Sequence, residues 1–142
     1  MSITLETEEP GAELARDSYP AVTRYVLAMY AGASGDDNPI HLDIDHARAA
    51  GFPDVFAHGM LIMGYMGRTL RGAAGSRTLL SFSTRFVAIT WVGNEIICSA
   101  TLAGRADTDR GPVATITLVA ADQHGEIKLK GEATVALKQG SQ

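Results

Sequence analysis

Residues 57–70 read Ala57-His58-Gly59-Met60-Leu61-Ile62-Met63-Gly64-Tyr65-Met66-Gly67-Arg68-Thr69-Leu70. Met60, Leu61, Ile62, Met63, Tyr65 and Met66 leave a helix here no polar face, so the stretch predicts a helix buried nearly all round. Gly64 and Gly67 would let another backbone come close, and Gly72 and Gly75 end the segment. Beyond it the period becomes two: Leu80, Phe82, Thr84, Phe86 and Ala88 alternate with Ser81, Ser83, Arg85 and Val87. Val92-Gly93-Asn94 reads as a turn, followed by a strand from Glu95 to Ala103, a polar connection from Gly104 to Pro112, and a β-rich run from Val113 to Ala121. Asp122-Gln123-His124-Gly125 is a hairpin signal. The last strand alternates most clearly, with Ile127, Leu129, Gly131, Ala133, Val135 and Leu137 on a dry face against Glu126, Lys128, Lys130, Glu132 and Thr134 on a wet one. A long helix packed on a curved antiparallel sheet is the expected α+β arrangement, its four strands joined as a meander. The rest of the sheet needs cover, for which an N-terminal strand and a second subunit are the expected sources.

Upstream of the helix the signals are shorter. Residues 1–17 are polar and weakly patterned, and 18–22 predict a short strand. Thr23 is placed to cap a helix whose apolar stripe is Val26, Met29, Tyr30 and Ala33, ending near Gly32–Gly35. Asp45 is the expected cap of a short helix over 46–50, stopped by Gly51 with Pro53 beyond it.

Composition narrows the class. The chain has 142 residues, 46% hydrophobic and 20% charged, which predicts one globular domain over 1–142 with a tail at 139–142. Lys plus Arg total 12 against 16 Asp plus Glu, and no basic cluster stands out, so nucleic acid and anionic membranes are poor partners. The longest apolar stretch, 59–67, is about half what a bilayer span requires. No leader is legible at the start, which points to the cytoplasm. The single cysteine, Cys98, excludes an intrachain disulfide and any multi-cysteine metal site, and its apolar strand predicts an inert thiol.

Between the two helices lies Gly35-Asp36-Asp37-Asn38-Pro39-Ile40-His41. Carboxylates, a carboxamide and an imidazole share one short loop, and Pro39 restricts both itself and Asn38. An acid and a histidine held this way could share a water, one polarising it while the other moves a proton. An Asx-rich turn with a surface histidine explains the same residues equally well. The second candidate is His58-Gly59-Met60, where unpaired helix amides could hold a carbonyl oxygen as it becomes an enolate. A tightly packed helix start accounts for Gly59 as well.

Taken together, these two stretches resemble the MaoC-like, or (R)-specific enoyl-CoA hydratase, family of hot-dog-fold proteins. That family carries Tyr/Phe, small residues, Gly-Asp-x-Asn-Pro-x-His, and then a downstream His-Gly-Met. Here the pattern stands as Tyr30-Ala31-Gly32-Ala33-Ser34-Gly35-Asp36-Asp37-Asn38-Pro39-Ile40-His41, followed by His58-Gly59-Met60, and the likeness extends over about residues 18–138. The resemblance implies a hot-dog sheet wrapped around the helix and reversible hydration of a trans-2-enoyl thioester to the (R)-3-hydroxyacyl thioester. It implies that Asp36 and His41 activate one water, that Asn38 fixes the loop, and that the Gly59 amide takes the thioester oxygen. His58 and Met60 join Asn38 and Gly59 as the expected substrate-side residues. Met63, Tyr65 and Met66 are candidates to line an acyl tunnel, and Arg68, Arg71, Arg77 and Arg85 to meet coenzyme A phosphates. No cofactor is expected beyond the coenzyme A or carrier-protein thioester that belongs to the substrate. No metal is expected either, since the loop acids and His41 lack a third ligand at useful spacing.

The chain departs from the family where relatives carry Pro-Val and Gly-Asp and it has Ile89-Thr90-Trp91-Val92-Gly93-Asn94. That turn is expected to lie away from the motif and to bear on the acyl chain or an interface. A homodimer or higher homo-oligomer is expected, with a hetero-oligomer as the alternative in which this chain is the catalytic or accessory subunit. A hot-dog thioesterase is the third reading, but 59–67 contains none of the acids such enzymes place on the central helix.

Overall fold

The computed structural model describes residues 4–138, and the expected tail at 139–142 lies outside them. The elements are β1 (Glu13–Tyr19), α1 (Arg24–Ser34), a 3₁₀ turn (Pro39–His41), α2 (Ile44–Ala49), α3 (Gly59–Ala74), β2 (Leu79–Phe86), β3 (Ile96–Thr108), β4 (Gly111–Ala121) and β5 (Ile127–Ala136). The strands form one antiparallel sheet in the order β1-β3-β4-β5-β2. This is the α+β hot-dog arrangement, with α3 packed along the sheet.

The alternation in β5 is realised: Leu129, Ala133 and Val135 are buried against the core, while Lys130 and Glu132 face water. Lys128 departs from the expected wet face and is only 1% exposed. Its ammonium pairs with Glu126 and lies 3.7 Å from the Asp122 carboxylate. That carboxylate in turn accepts the His124 and Glu126 amides, each at 2.9 Å, and closes the hairpin. At Gly131 helix and sheet pack closely, because a Cβ there would stand 2.6 Å from the Met66 sulfur.

Four boundaries differ from expectation for physical reasons. The meander holds only for β3, β4 and β5; β2 pairs with β5 at the far edge, not with β3. The segment 87–95 therefore crosses two intervening strands, well within its extended reach at a strand spacing of roughly 4.8 Å. Residues 104–112, read as a connection, instead continue β3 past a bulge between Leu102 and Gly104 and turn directly into β4. Arg105 to Thr108 are exposed, so no buried face marked them as strand. β1 lies N-terminal to the expected 18–22 and buries only Leu14 and Tyr19, too little for an alternation to be read. The α2 helix begins earlier than expected, capped by Asp43, whose carboxylate accepts the Asp45 amide at 2.9 Å.

Thr23 and Gly35 bracket α1 as expected, through a 3.1 Å bond from the Val26 amide to the Thr23 hydroxyl and a φ of 79° at Gly35. Its buried residues are Leu27 and Ala31, whereas Met29 from the expected stripe is 57% exposed. A similar correction applies to α3. Ile62, Met66, Thr69, Leu70, Ala73 and Ala74 are buried, but Met60 is 56% exposed and Gly64 has open space beside it. One face of the central helix thus stays uncovered among the described residues. No helix among the described residues is long and apolar enough to cross a membrane.

Candidate active site

The loop before the 3₁₀ turn is organised by short bonds from side chain to backbone. The Ser34 hydroxyl accepts the Asp36 amide at 3.1 Å, an Asp36 carboxylate oxygen accepts the Asn38 amide at 3.4 Å, and the Asn38 carboxamide oxygen accepts the Ile40 amide at 3.0 Å. Asn38 thereby caps the turn that presents His41, with Pro39 at its first position. The carboxamide oxygen is used inside the loop, and Asn38 does not line the adjacent cavity.

His41 is 9% exposed, and its Nδ1 lies 2.8 Å from the Phe56 carbonyl oxygen. A carbonyl can only accept, so Nδ1 carries the proton and the neutral ring keeps its lone pair on Nε2. His58 shows the same logic with its nitrogens reversed. Its Nε2 donates to the Asp36 carbonyl oxygen at 2.9 Å, while Nδ1 is buried without a hydrogen-bond partner. The two imidazoles stack with centroids 3.9 Å apart and 27° between planes, and Tyr30 meets His58 edge-on at 4.7 Å. Burial pushes the His58 imidazole below its ordinary pKa; the bond to the Asp36 carbonyl opposes this shift and His41 adds to it.

Helix α3 starts directly after His58, whose side chain makes no capping bond. The positive end of the helix, with Gly59 and Met60 in its first turn, opens onto a cavity of about 510 Å³ whose wall includes Asp36, Phe56, Phe86 and Thr90. Phe86 presses on the helix start, since a Cβ at Gly59 would stand 2.7 Å from its ring. Of the expected site residues, Asp36, Gly59 and Met60 line this cavity, and His41 and His58 stand beside Asp36. Asp36, His41 and His58 each bring a donor atom within 4.8 Å of the others, supplying the third group that spacing alone did not assemble. His58 adds only a buried Nδ1 to this group, because its Nε2 is spent on the Asp36 carbonyl.

The turn at 89–94 is not remote from the motif. The Ala57 amide donates to the Thr90 carbonyl at 2.8 Å, Phe56 bridges to Trp91, and the Phe56 and Trp91 rings meet at 5.8 Å. This turn buttresses the carbonyl that fixes His41, a link invisible in sequence because strand β2 lies between the two segments in the chain. Nothing in the sequence marks Phe56, Phe86 or Thr90 as cavity walls; Phe86 stands there only as the end of the β2 alternation and Thr90 as part of the departing turn.

A second cavity, of about 680 Å³, begins at Met60 and follows the uncovered face of α3 past Met63, Gly64 and Gly67 to Leu79 and Phe82. Of the expected tunnel residues only Met63 lines it. Tyr65 stacks on Tyr19 at 4.3 Å, and Met66 is buried against Gly131. Among the candidate arginines, Arg77 is committed to Glu6 through bonds of 2.9 and 2.6 Å, and Arg68 lies 5.5 Å over the Tyr19 ring. Arg71 lines the second cavity, and Arg85 faces Lys130 across the β2–β5 pair. Cys98 is fully buried, and burial pushes its thiol up to about 12, so it is inert as a nucleophile.

Comparison with known proteins bears on this geometry. The family model described as MaoC like domain matches residues 6–123. An (R)-specific enoyl-CoA hydratase of Aeromonas caviae is 33% identical over 115 residues, covering 78% of this chain and 83% of its own. A mitochondrial 3-hydroxyacyl-(acyl-carrier-protein) dehydratase of Arabidopsis thaliana is 29% identical over 112 residues, covering 78% of this chain and 68% of its own. The solved structure of an (R)-hydratase from A. caviae involved in PHA biosynthesis matches with a TM-score of 0.74 at 31% identity, covering 94% of this chain and 99% of that one.

Proposed function

The chain belongs to the MaoC-like family of hydro-lyases, and from that premise we propose that it adds water reversibly to a trans-2-enoyl thioester, forming the (R)-3-hydroxyacyl thioester. The observation that carries this reading is that Asp36 and the uncapped first turn of α3 line one cavity, with His41 clustered against Asp36. Hydration needs three things at once: a nucleophilic water at C3, a proton for C2, and a donor for the negative charge that gathers on the thioester oxygen. Asp36 and His41 bind the water between them, take one of its protons as its oxygen bonds to C3, and return one to C2. The Gly59 amide, reinforced by the positive end of the helix, holds the oxygen in its enolate form. Side chains, an amide and water suffice for these steps.

On this reading the thioester carbonyl sits at Gly59 and the acyl tail passes Met60 into the groove along Met63, Gly64 and Gly67. A second copy of the chain completes that groove. Support for an oligomer comes from the uncovered face of α3 and from the β2 edge, where Leu79, Leu80 and Phe86 are 49%, 53% and 51% exposed. The absence of any Asp or Glu from α3 weighs against thioester hydrolysis by a helix acid. The work is expected in the cytoplasm, on a coenzyme A or carrier-protein thioester. The test is to incubate purified protein with racemic 3-hydroxybutyryl-CoA and resolve the residual enantiomers. Selective consumption of the (R) form with release of the enoyl thioester supports the proposal, and consumption of the (S) form or release of free thiol contradicts it.

A further inference from the structure

We propose that His58 is a positioning residue that ties the acid and the base of the site to the helix end where the substrate oxygen is held; this inference rests on the hydratase reading above. Three contacts converge on its ring. Nε2 donates to the Asp36 carbonyl at 2.9 Å, the ring face stacks on His41 at 3.9 Å, and Tyr30 meets the ring edge-on at 4.7 Å. The backbone of the same residue leads directly into Gly59. A single side chain therefore sets the spacing among the Asp36 loop, the His41 ring and the first amide of α3. Its position immediately before the helix would suit a capping role, yet it makes no cap bond and spends its donor across the loop.

The remaining nitrogen shows why His58 does not exchange protons with substrate. Residue His58 is 1% exposed, and Nδ1 is buried without a partner. Moving the proton to Nδ1 would leave a buried donor unsatisfied and set a lone pair against the Asp36 carbonyl oxygen. Doubly protonating the ring would also place a cation against His41. The groups that face it are Tyr30 from α1, Asp36 from the loop and His41 from the 3₁₀ turn, and none offers Nδ1 an acceptor. The ring is held as one neutral tautomer, and its effect on chemistry runs through Asp36 and His41.

Two variants separate the contacts. His58→Gln places a carboxamide donor where Nε2 stood, and His58→Phe keeps an aromatic face for His41 while removing the donor. In hydration of crotonyl-CoA, His58→Phe is expected to lower kcat about 10–100-fold with KM little changed, as a small misplacement of a reacting pair does, and His58→Gln to recover much of that loss. The companion readout is the backbone ¹⁵N resonance of Asp37, whose peptide group includes the Asp36 carbonyl that His58 bonds, and it does not depend on turnover. His58→Phe is expected to shift that resonance and His58→Gln to return it toward wild type. A His58→Phe protein with wild-type kcat and an unshifted Asp37 resonance overturns the proposal, as does a His58→Gln protein no better than His58→Phe on both readouts. If wild type hydrates no enoyl thioester but the Asp37 resonance still shifts in His58→Phe and returns in His58→Gln, the positioning role stands and the hydratase reading fails.

Discussion

The two ends of α3 are treated in opposite ways. At the C-terminal end two of the last carbonyls find donors: the Gly75 amide donates to the Arg71 carbonyl at 2.9 Å, and the Arg77 guanidinium donates to the Ala74 carbonyl at 3.0 Å while pairing with Glu6. The cations of Arg71 and Arg77 also complement the negative end of the helix. At the N-terminal end there is no side-chain cap and no acid in the first turn, and the helix opens on the cavity beside Asp36. A helix end without such partners is a standing cost in stability. Within one helix, the closed end contributes to folding and the open end keeps its field for a ligand.

Substitutions at the open end should damage chemistry and spare the fold. The largest effects belong to Asp36→Asn and His41→Ala, each expected to lower turnover by about 10²–10⁴-fold, as loss of a general acid or base does. Urea unfolding checks that both variants fold, with Asp36→Asn near wild type and His41→Ala lower by about 1–3 kcal/mol because the Phe56 carbonyl loses its donor; near-native activity in either variant would remove that residue from the reaction. A smaller loss, about tenfold, is expected for Gly59→Ala, whose new methyl must displace the Phe86 ring that stands 2.7 Å from its position. Phe86 is half exposed on an edge strand and can yield, so adding Phe86→Ala to the same chain should return activity. If the double variant is no better than the single one, the amide itself has been disturbed and the wall is not the cause.

Further along the helix, Gly64→Leu extends the comparison to the groove. Nothing lies within 4 Å of a Cβ at Gly64, so the substitution adds bulk to the groove and removes a glycine from a helix interior. A thermal melt should show no loss of stability in the folded chain, while the preference shifts from long to short enoyl thioesters by about tenfold. An unchanged chain-length ratio would take the acyl tail out of this groove.

At the closed end the expectation reverses. Glu6→Gln should cost about 1–2 kcal/mol and leave hydration of short enoyl thioesters alone, since it weakens a charge-assisted pair at the opposite end of α3 from Asp36, where Arg77 lines the far end of the groove. The Arg77 hydrogen bonds hold the Glu6 carboxyl at about 2, below its ordinary value of 4.5. A depressed carboxyl stabilises the folded state above its unfolded value, so this contribution is present above pH 4.5 and is lost as pH falls toward 2. Unfolding measured across that window should fall more steeply for wild type than for Glu6→Gln, and parallel curves would show that the pair contributes nothing.

The sequence made some of this legible and not the rest, for physical reasons. The loop from Gly35 to His41 could be read because its work is local: Asn38 and Pro39 shape a turn within a few residues of the groups they fix. The core face of β5 could be read because one side is dry. The contact between the 89–94 turn and Phe56 could not, because it joins segments separated by α3 and β2 and its hydrogen bonds run through backbone groups that carry no residue code. His58 was visible as part of His-Gly-Met, but its bond to the Asp36 carbonyl depends on how α3 docks on the sheet. Pattern alone does not place β2, because an exposed edge strand accepts either neighbour.

The most direct test of the account is the absorbance of the conjugated enoyl thioester when purified protein is added to crotonyl-CoA, with Asp36→Asn beside it. The account predicts that wild type bleaches the band toward the hydration equilibrium while Asp36→Asn, folded to the same extent, leaves it standing on that timescale. Equal bleaching by both proteins would contradict it, because water addition would then not depend on the acid that faces the open end of α3.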